Sequence, residues 1–153
     1  MNYRAVVAAT AFSLVAAVVS ATVASADGIE PGLWKIINRM ETGGVIGPPH
    51  ESSKCLTAEQ AGDLENTFTP VPNTVNSECA PIERKLTGDK QTGDKLTWRI
   101  VCKGQLDMEL AGEFTFDSPH HYSATVRTKA QMAGMQMVDS QQTLEGQWVS
   151  ECK

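Results

Sequence analysis

Positive charge is scarce in this sequence. Its 153 residues include 13 Lys and Arg against 18 Asp and Glu, a formal net charge of −5 at pH 7. No stretch of the chain concentrates the basic residues. An acidic domain gains no electrostatic energy from phosphate backbones or anionic lipid surfaces. The composition therefore predicts that the protein has no nucleic-acid partner and no role at an anionic membrane surface.

Catalytic signatures are missing as well. The chain has no Gly-x-Ser-x-Gly, no His-Glu-x-x-His, no phosphate-binding glycine loop and no dinucleotide-binding fingerprint. Of its three histidines, His50 lies in a Pro-rich loop, and His120 and His121 lie at a predicted turn, where a solvated side chain is the simpler interpretation. We expect no catalytic residues, no enzymatic activity and no cofactor.

The one long hydrophobic run lies at the N-terminus. Arg4 precedes an almost uncharged Ala/Val-rich segment over 5–19, and Ala24-Ser25-Ala26 places small residues where signal peptidase cuts. The run is shorter than the ~20 residues that a membrane-spanning helix needs. We therefore predict a signal peptide over 1–26 and a single β domain over 27–153. The domain would be periplasmic or secreted, with no stable membrane insertion after signal removal.

Apolar residues alternate with polar ones through most of the chain after residue 80, and again near its start. Such alternation is typical of strands with one packed face and one wet face. Short reversals separate these segments, so neighbouring strands should be antiparallel. The sequence predicts an all-β antiparallel meander of about six strands in a curled or partly closed barrel-like sheet, with one short helix. The clearest strand has Leu106, Met108, Leu110, Gly112, Phe114 and Phe116 on one face.

The region between Met40 and Cys79 lacks this alternation and is predicted to be a long loop. Its one helical signal is the capping box that begins at Thr57 and ends at Gln60, opening a short helix to about Glu65.

The four cysteines indicate two disulfides, because their number is even in a predicted exported domain and none has Cys-x-x-Cys spacing. Cys79 begins a strand whose hairpin partner ends at Cys102, so these two should meet, provided that a bulge at Ala80-Pro81 brings Cys79 onto the correct face. Cys102 and Cys152 should lie at opposite ends of ~33 Å strands, too far apart for a disulfide. The predicted pairs are Cys79–Cys102 and Cys55–Cys152.

The inward face of the predicted sheet mixes tryptophans with polar residues, as a small-ligand cavity does. A fully packed core would exclude an arginine. We expect a small apolar or amphipathic ligand on this concave face. The alternative is that bulges turn these side chains outward or that the sheet stays open and wet. The candidate ligand-binding residues are Trp34, Arg84, Trp98, Gln142 and Trp148.

A methionine cluster provides an alternative function. Met132, Met135 and Met137 offer thioether ligands of the kind that suit Cu(I), and Met40, Met108 or the two adjacent histidines could add to them. Methionine is also a common packing residue at irregular positions, which is the simpler interpretation. A third hypothesis is a structural or partner-binding module of the cell envelope that uses an exposed sheet edge.

Several motifs together resemble an exported proteobacterial family catalogued as domain of unknown function 3617. They are a Pro-Gly-Leu-Trp opening at 31–34, Cys-Leu-Thr at 55–57, a hairpin between Cys79 and Cys102, and a Gly-to-Cys ending over 146–152. The resemblance spans nearly all of the predicted mature chain and implies no activity, because the family has none assigned. The chain departs from the family pattern at Lys35, Trp148 and Glu151. The Gly-x-Trp pattern at 32–34 is also similar to the opening of lipocalin-like barrels, which bind small ligands.

Overall fold

The computed structural model describes residues 28–72, 77–89, 93–132, 135 and 137–153. The predicted signal peptide and its cleavage site lie outside the described residues. Within them are nine strands and two short helices: β1 (Gly32–Thr42), β2 (Val45–Ile46), β3 (His50–Leu56), α1 (Ala58–Gly62), α2 (Leu64–Phe68), β4 (Ser77–Cys79), β5 (Glu83–Asp89), β6 (Gly93–Gly104), β7 (Leu106–Ser118), β8 (His121–Met132) and β9 (Val138–Ser150).

All strands belong to one antiparallel sheet, which confirms the predicted fold class. β6, β7, β8 and β9 follow one another as a meander, and β1 pairs with β9 on the far side of it. Both β2 and β3 pair with the outer edge of β1, while β4 and β5 pair with the outer edge of β6. The two edges do not pair with each other among the described strands, so the sheet is not closed. The six predicted strands correspond to β1 and to β5 through β9.

The region expected to be a long loop contains β2 and β3, which the sequence pattern did not reveal. All of β3 is exposed except Leu56, so it carries no apolar alternation. Backbone pairing holds it on β1, from Asn38 opposite His50 to Gly32 opposite Leu56. β1 and β2 form a hairpin through Gly43 and Gly44, whose φ angles of 57° and 80° are those of a two-residue turn.

Two short helices replace the single predicted one. The capping box is confirmed: the Gln60 backbone N–H donates to Thr57 Oγ1 at 3.2 Å, and the Thr57 N–H donates to Gln60 Oε1 at 3.0 Å. α1 ends at Gly62, because Asp63 begins a new helix by accepting the Asn66 N–H at 3.1 Å. Among the described residues neither helix has the length and apolarity that crossing a bilayer requires.

Both predicted disulfides are confirmed. Cys79 and Cys102 lie directly opposite each other on β4 and β6, and the chain leaves the ladder over 80–82 before β5 begins. Cys55 on β3 and Cys152 after β9 are joined with a Cα–Cα distance of 5.9 Å. Because β1 lies between β3 and β9, with Leu33 opposite both Cys55 and Ser150, this bond crosses over β1 and fixes the edge strand to the last strand.

The two helices cover the inner face of the sheet, which carries the even-numbered side chains of the long strands. α1 contacts β3 at one edge and α2 contacts β5 at the other. Ala61 of α1 and Leu64 of α2 are buried and belong to the hydrophobic core. Phe68 at the end of α2 packs on the aromatic rings of β7 and β8, with centroid distances of 5.1–5.4 Å. We call residues 58–70 the covering segment.

Aromatic rings on the inner face lie across glycines of the neighbouring strand. Trp98 on β6 is opposite Gly112 on β7, and a Cβ added at Gly112 would overlap the indole. Tyr122 on β8 and Gly146 on β9 repeat this arrangement. Glycine within a strand is costly by itself, so its presence here indicates that close approach of the ring is the reason.

We predict that Gly112→Ala lowers the free energy of unfolding by about 1–3 kcal/mol, because the new methyl group must displace the Trp98 indole in a packed face. Gly62→Ala is the matched control. A Cβ at Gly62 meets no atom within 4 Å, and alanine is the better helix former. Urea unfolding of both variants measures the difference. Equal stabilities of the two variants would contradict this explanation of Gly112.

Candidate functional site

A cavity of about 410 Å³ lies between the inner face of the sheet and the end of the covering segment. Cavities that hold small molecules span about 300–1,000 Å³. β3, β1, β9, β8, β7 and β6 all contribute to its wall, and Thr67 through Pro70 contribute from the covering segment. The apolar lining consists of the aromatic residues Trp34, Phe68, Trp98, Phe114 and Tyr122 and the aliphatic residues Ile36, Leu56, Leu110, Val126 and Leu144.

Three of the five predicted ligand-binding residues line this cavity: Trp34, Trp98 and Gln142. The structure does not bring the other two to it. Arg84 lies exposed on the edge strand β5, where Nη1 donates to Asn66 Oδ1 at 2.7 Å and so links β5 to α2. Trp148 is half-buried on the inner face near the end of β9; its Nε1 donates to the Pro31 carbonyl at 3.1 Å, and its ring packs on His120.

The covering segment and β3 form a part of the cavity that no sequence pattern predicts. Thr67, Phe68 and Thr69 belong to a region that is predicted to be loop, and Lys54 belongs to the unpredicted strand. No periodic signal marks these residues, because each reaches the cavity through tertiary packing rather than through the alternation of a long strand. Leu110 and Phe114, by contrast, lie on the inward face that the alternation of β7 predicts.

Two of the lining residues carry buried polar atoms without a hydrogen-bond partner among the described residues: Thr69 Oγ1 and Trp98 Nε1. Thr69 is 8% exposed and Trp98 4%. The indole of Trp34, in contrast, donates to the Glu30 carbonyl at 3.0 Å. A buried polar group that forms no hydrogen bond costs about 1–3 kcal/mol. Because both atoms are closed to solvent and Trp98 Nε1 faces Gly112, neither atom is open to the cavity.

Tyr122 lies in the aromatic wall, with its ring 5.5 Å from Trp34 and 5.1 Å from Phe68. Burial raises the pKa of its phenol to about 12, since the phenolate is poorly solvated there. The phenol therefore stays neutral at physiological pH.

The methionine cluster remains a prediction. Met132, Met135 and Met137 are all 50% or more exposed at the connection between β8 and β9, and the Met135 N–H donates to the Met132 carbonyl at 3.0 Å. The histidines proposed as further ligands do not approach this cluster. His120 and His121 lie at the other end of β8, and His121 Nδ1 is 2.7 Å from Asp117 Oδ1. The residues between the methionines at 133, 134 and 136 lie outside the described part of the chain.

Other candidate surfaces are limited. No group of three or more His, Cys, Asp or Glu side chains suited to a metal ion occurs among the described residues. The edge strands β3 and β5 have no strand paired to their outer sides in the described part of the chain. The hypothesis of an envelope partner that pairs with such an edge also remains a prediction.

We predict that Thr69→Val leaves the free energy of unfolding unchanged or raises it, because valine has the same shape and removes a buried hydroxyl without a partner. The matched control is Thr67→Val in the same segment. Thr67 Oγ1 donates to the Gln60 carbonyl at 2.7 Å, so its loss should cost about 1 kcal/mol. Thermal or urea unfolding compares the two variants. A larger loss for Thr69→Val than for Thr67→Val would show that Thr69 has a partner.

The phenol of Tyr122 offers a test of burial by pH titration. A protein that starts at Asp27 has Tyr122 as its single tyrosine, since Tyr3 is the other one in the chain. Its phenolate absorbance should appear near pH 12, whereas an exposed tyrosine titrates near pH 10. Between these values the unfolded state has lost the proton and the folded state has not, so the free energy of unfolding falls as pH rises from about 10 to about 12. Tyr122→Phe should remove this part of the pH dependence; a titration midpoint near pH 10 in the folded protein would refute it.

The comparisons with known proteins identify a family and leave the activity open. The family DUF3617, described as a protein of unknown function, matches residues 29–152. No curated protein and no solved structure matches the chain. The match begins just before β1 and ends at Cys152, so it includes both disulfides, the covering segment and every strand described above. The chain therefore belongs to the DUF3617 family.

Proposed function

We propose that this protein binds a small apolar or amphipathic molecule in the cavity beneath the covering segment. The observation that carries this proposal is an apolar cavity of about 410 Å³ whose lining also includes a few polar side chains, among them Thr128 and Gln142. Apolar walls with a few hydrogen-bonding groups are the usual composition of small-molecule sites.

The energetics favour an apolar ligand over a small polar metabolite. Burial of apolar surface contributes roughly 25 cal/mol per Å², so about 400 Å² of ligand surface contributes roughly 10 kcal/mol. The loss of translational and rotational freedom on association costs about 4–15 kcal/mol. A ligand that buries little apolar surface does not offset this cost here. Five aromatic and five aliphatic side chains line the cavity and supply such contacts.

We further propose that the protein works in the periplasm or after secretion, and that it binds rather than catalyses. Two disulfides indicate an oxidising compartment outside the cytoplasm. The predicted signal peptide over 1–26 supports export. The absence of catalytic motifs from the sequence supports a binding role.

A fluorescent probe tests the cavity directly. N-phenyl-1-naphthylamine, a neutral apolar dye, should bind with increased emission. Thr128→Trp, which places an indole in the cavity, should weaken its binding at least about tenfold, since the ring occupies the volume that the dye needs. Lys129→Trp is the matched control, because it adds the same ring at the next position of β8 on the exposed outer face.

Far-ultraviolet circular dichroism and urea unfolding establish that both variants are folded. Equal affinity of the wild type and both variants for the dye would place its binding elsewhere and refute the proposal, as would the absence of any binding by the wild type.

A further inference from the structure

We propose that the ligand is an amphiphile with one alkyl chain and an anionic head group, and that Lys54 contacts the head group. This inference rests on the proposed binding function and assigns the chemistry of its ligand. It follows from the apolar wall of the cavity, from its volume and from the position of the one charged residue among the described residues that line it.

The wall of the cavity extends across six strands, from Lys54 and Leu56 on β3 to Trp98 on β6. Their order is β3, β1, β9, β8, β7, β6, so the wall spans five strand spacings of about 4.8 Å each, measured along the sheet. A flexible apolar chain can follow such a wall.

The volume limits the ligand to one chain. About 410 Å³ lies near the lower end of the range of small-molecule cavities, about 300–1,000 Å³. One alkyl chain suits this volume, whereas a lipid with two acyl chains does not.

Among the described residues Lys54 is the only charged one that lines the cavity. It lies opposite Trp34 on β1, at the β3 edge of the wall, and it is exposed to solvent. In the same part of the chain no carboxylate lies within 4.0 Å of its ammonium group, although Lys35 on the other face of the sheet pairs with Glu51 at 2.9 Å. A cation at one edge of an apolar cavity, in a protein whose net charge is −5, complements a negative head group.

Competition against the naphthylamine dye tests the head group. Dodecanoic acid, dodecan-1-ol and dodecylamine share one alkyl chain and differ in head-group charge. The wild type should bind the acid more tightly than the alcohol. It should bind the amine more weakly than the alcohol. Lys54→Glu should weaken binding of the acid about tenfold and leave the alcohol within about twofold, because only the acid loses its ionic partner and meets a repelling carboxylate.

Lys85→Glu is the matched control. Lys85 is an exposed lysine on the opposite edge strand, β5, and lies outside the cavity lining, so its replacement changes the net charge equally. It should leave all three affinities within about twofold. The inference is overturned if Lys54→Glu weakens the acid and the alcohol equally, if Lys85→Glu weakens the acid as much, or if the wild type does not prefer the acid. In those cases dye binding persists and the cavity stands; if the dye itself does not bind, the proposed function fails.

Discussion

β1 pairs with β9 from Trp34 opposite Trp148 to Thr42 opposite Ser140, and this contact joins the beginning of the domain to its end. The positions of β3 and of the covering segment depend on this pairing. β3 pairs with β1 alone, and the covering segment follows β3 in the chain. The bond between Cys55 and Cys152 spans the same three strands and closes a loop of 97 residues, which constrains the unfolded chain. Without the β1–β9 pairing neither β3 nor the covering segment has a place on the sheet.

The cavity is a consequence of how an open sheet covers its apolar face. Because the two edges do not pair, helices α1 and α2 bridge them instead, with α1 near β3 and α2 near β5. The hydrogen bond between Arg84 and Asn66 holds the second of these contacts. Two helices of five residues each cannot fill the whole inner face. The remaining space lies beside Phe68, where the aromatic cluster ends and the aliphatic residues of β7, β8 and β9 begin.

Sequence patterns predicted the long strands well and the edge of the sheet poorly. β7 alternates cleanly because one of its faces is packed and the other is wet, and the predicted inward residues from Leu110 to Phe116 are on the packed face. β3 shows no such pattern, because every residue except Leu56 is exposed and backbone pairing with β1 holds the strand in place. Arg84 lies outside the lining of the cavity for a related reason. Arg84 pairs with Trp98, so its position in the strand places it on the inner face. Because β5 is an edge strand, however, the long side chain can extend past the sheet, and it reaches Asn66 on α2.

Sequence patterns specify the all-β class, the six long strands, both disulfides and three residues of the cavity, Trp34, Trp98 and Gln142. These follow from local rules: the two-residue period of a strand and the geometry of a hairpin. Three features are visible only in the folded protein: β1 joins β9, β3 is an edge strand, and Lys54 and Thr69 reach the cavity. Those positions depend on contacts between residues distant in the chain, where backbone pairing and the packing of Phe68 act without leaving a periodic pattern.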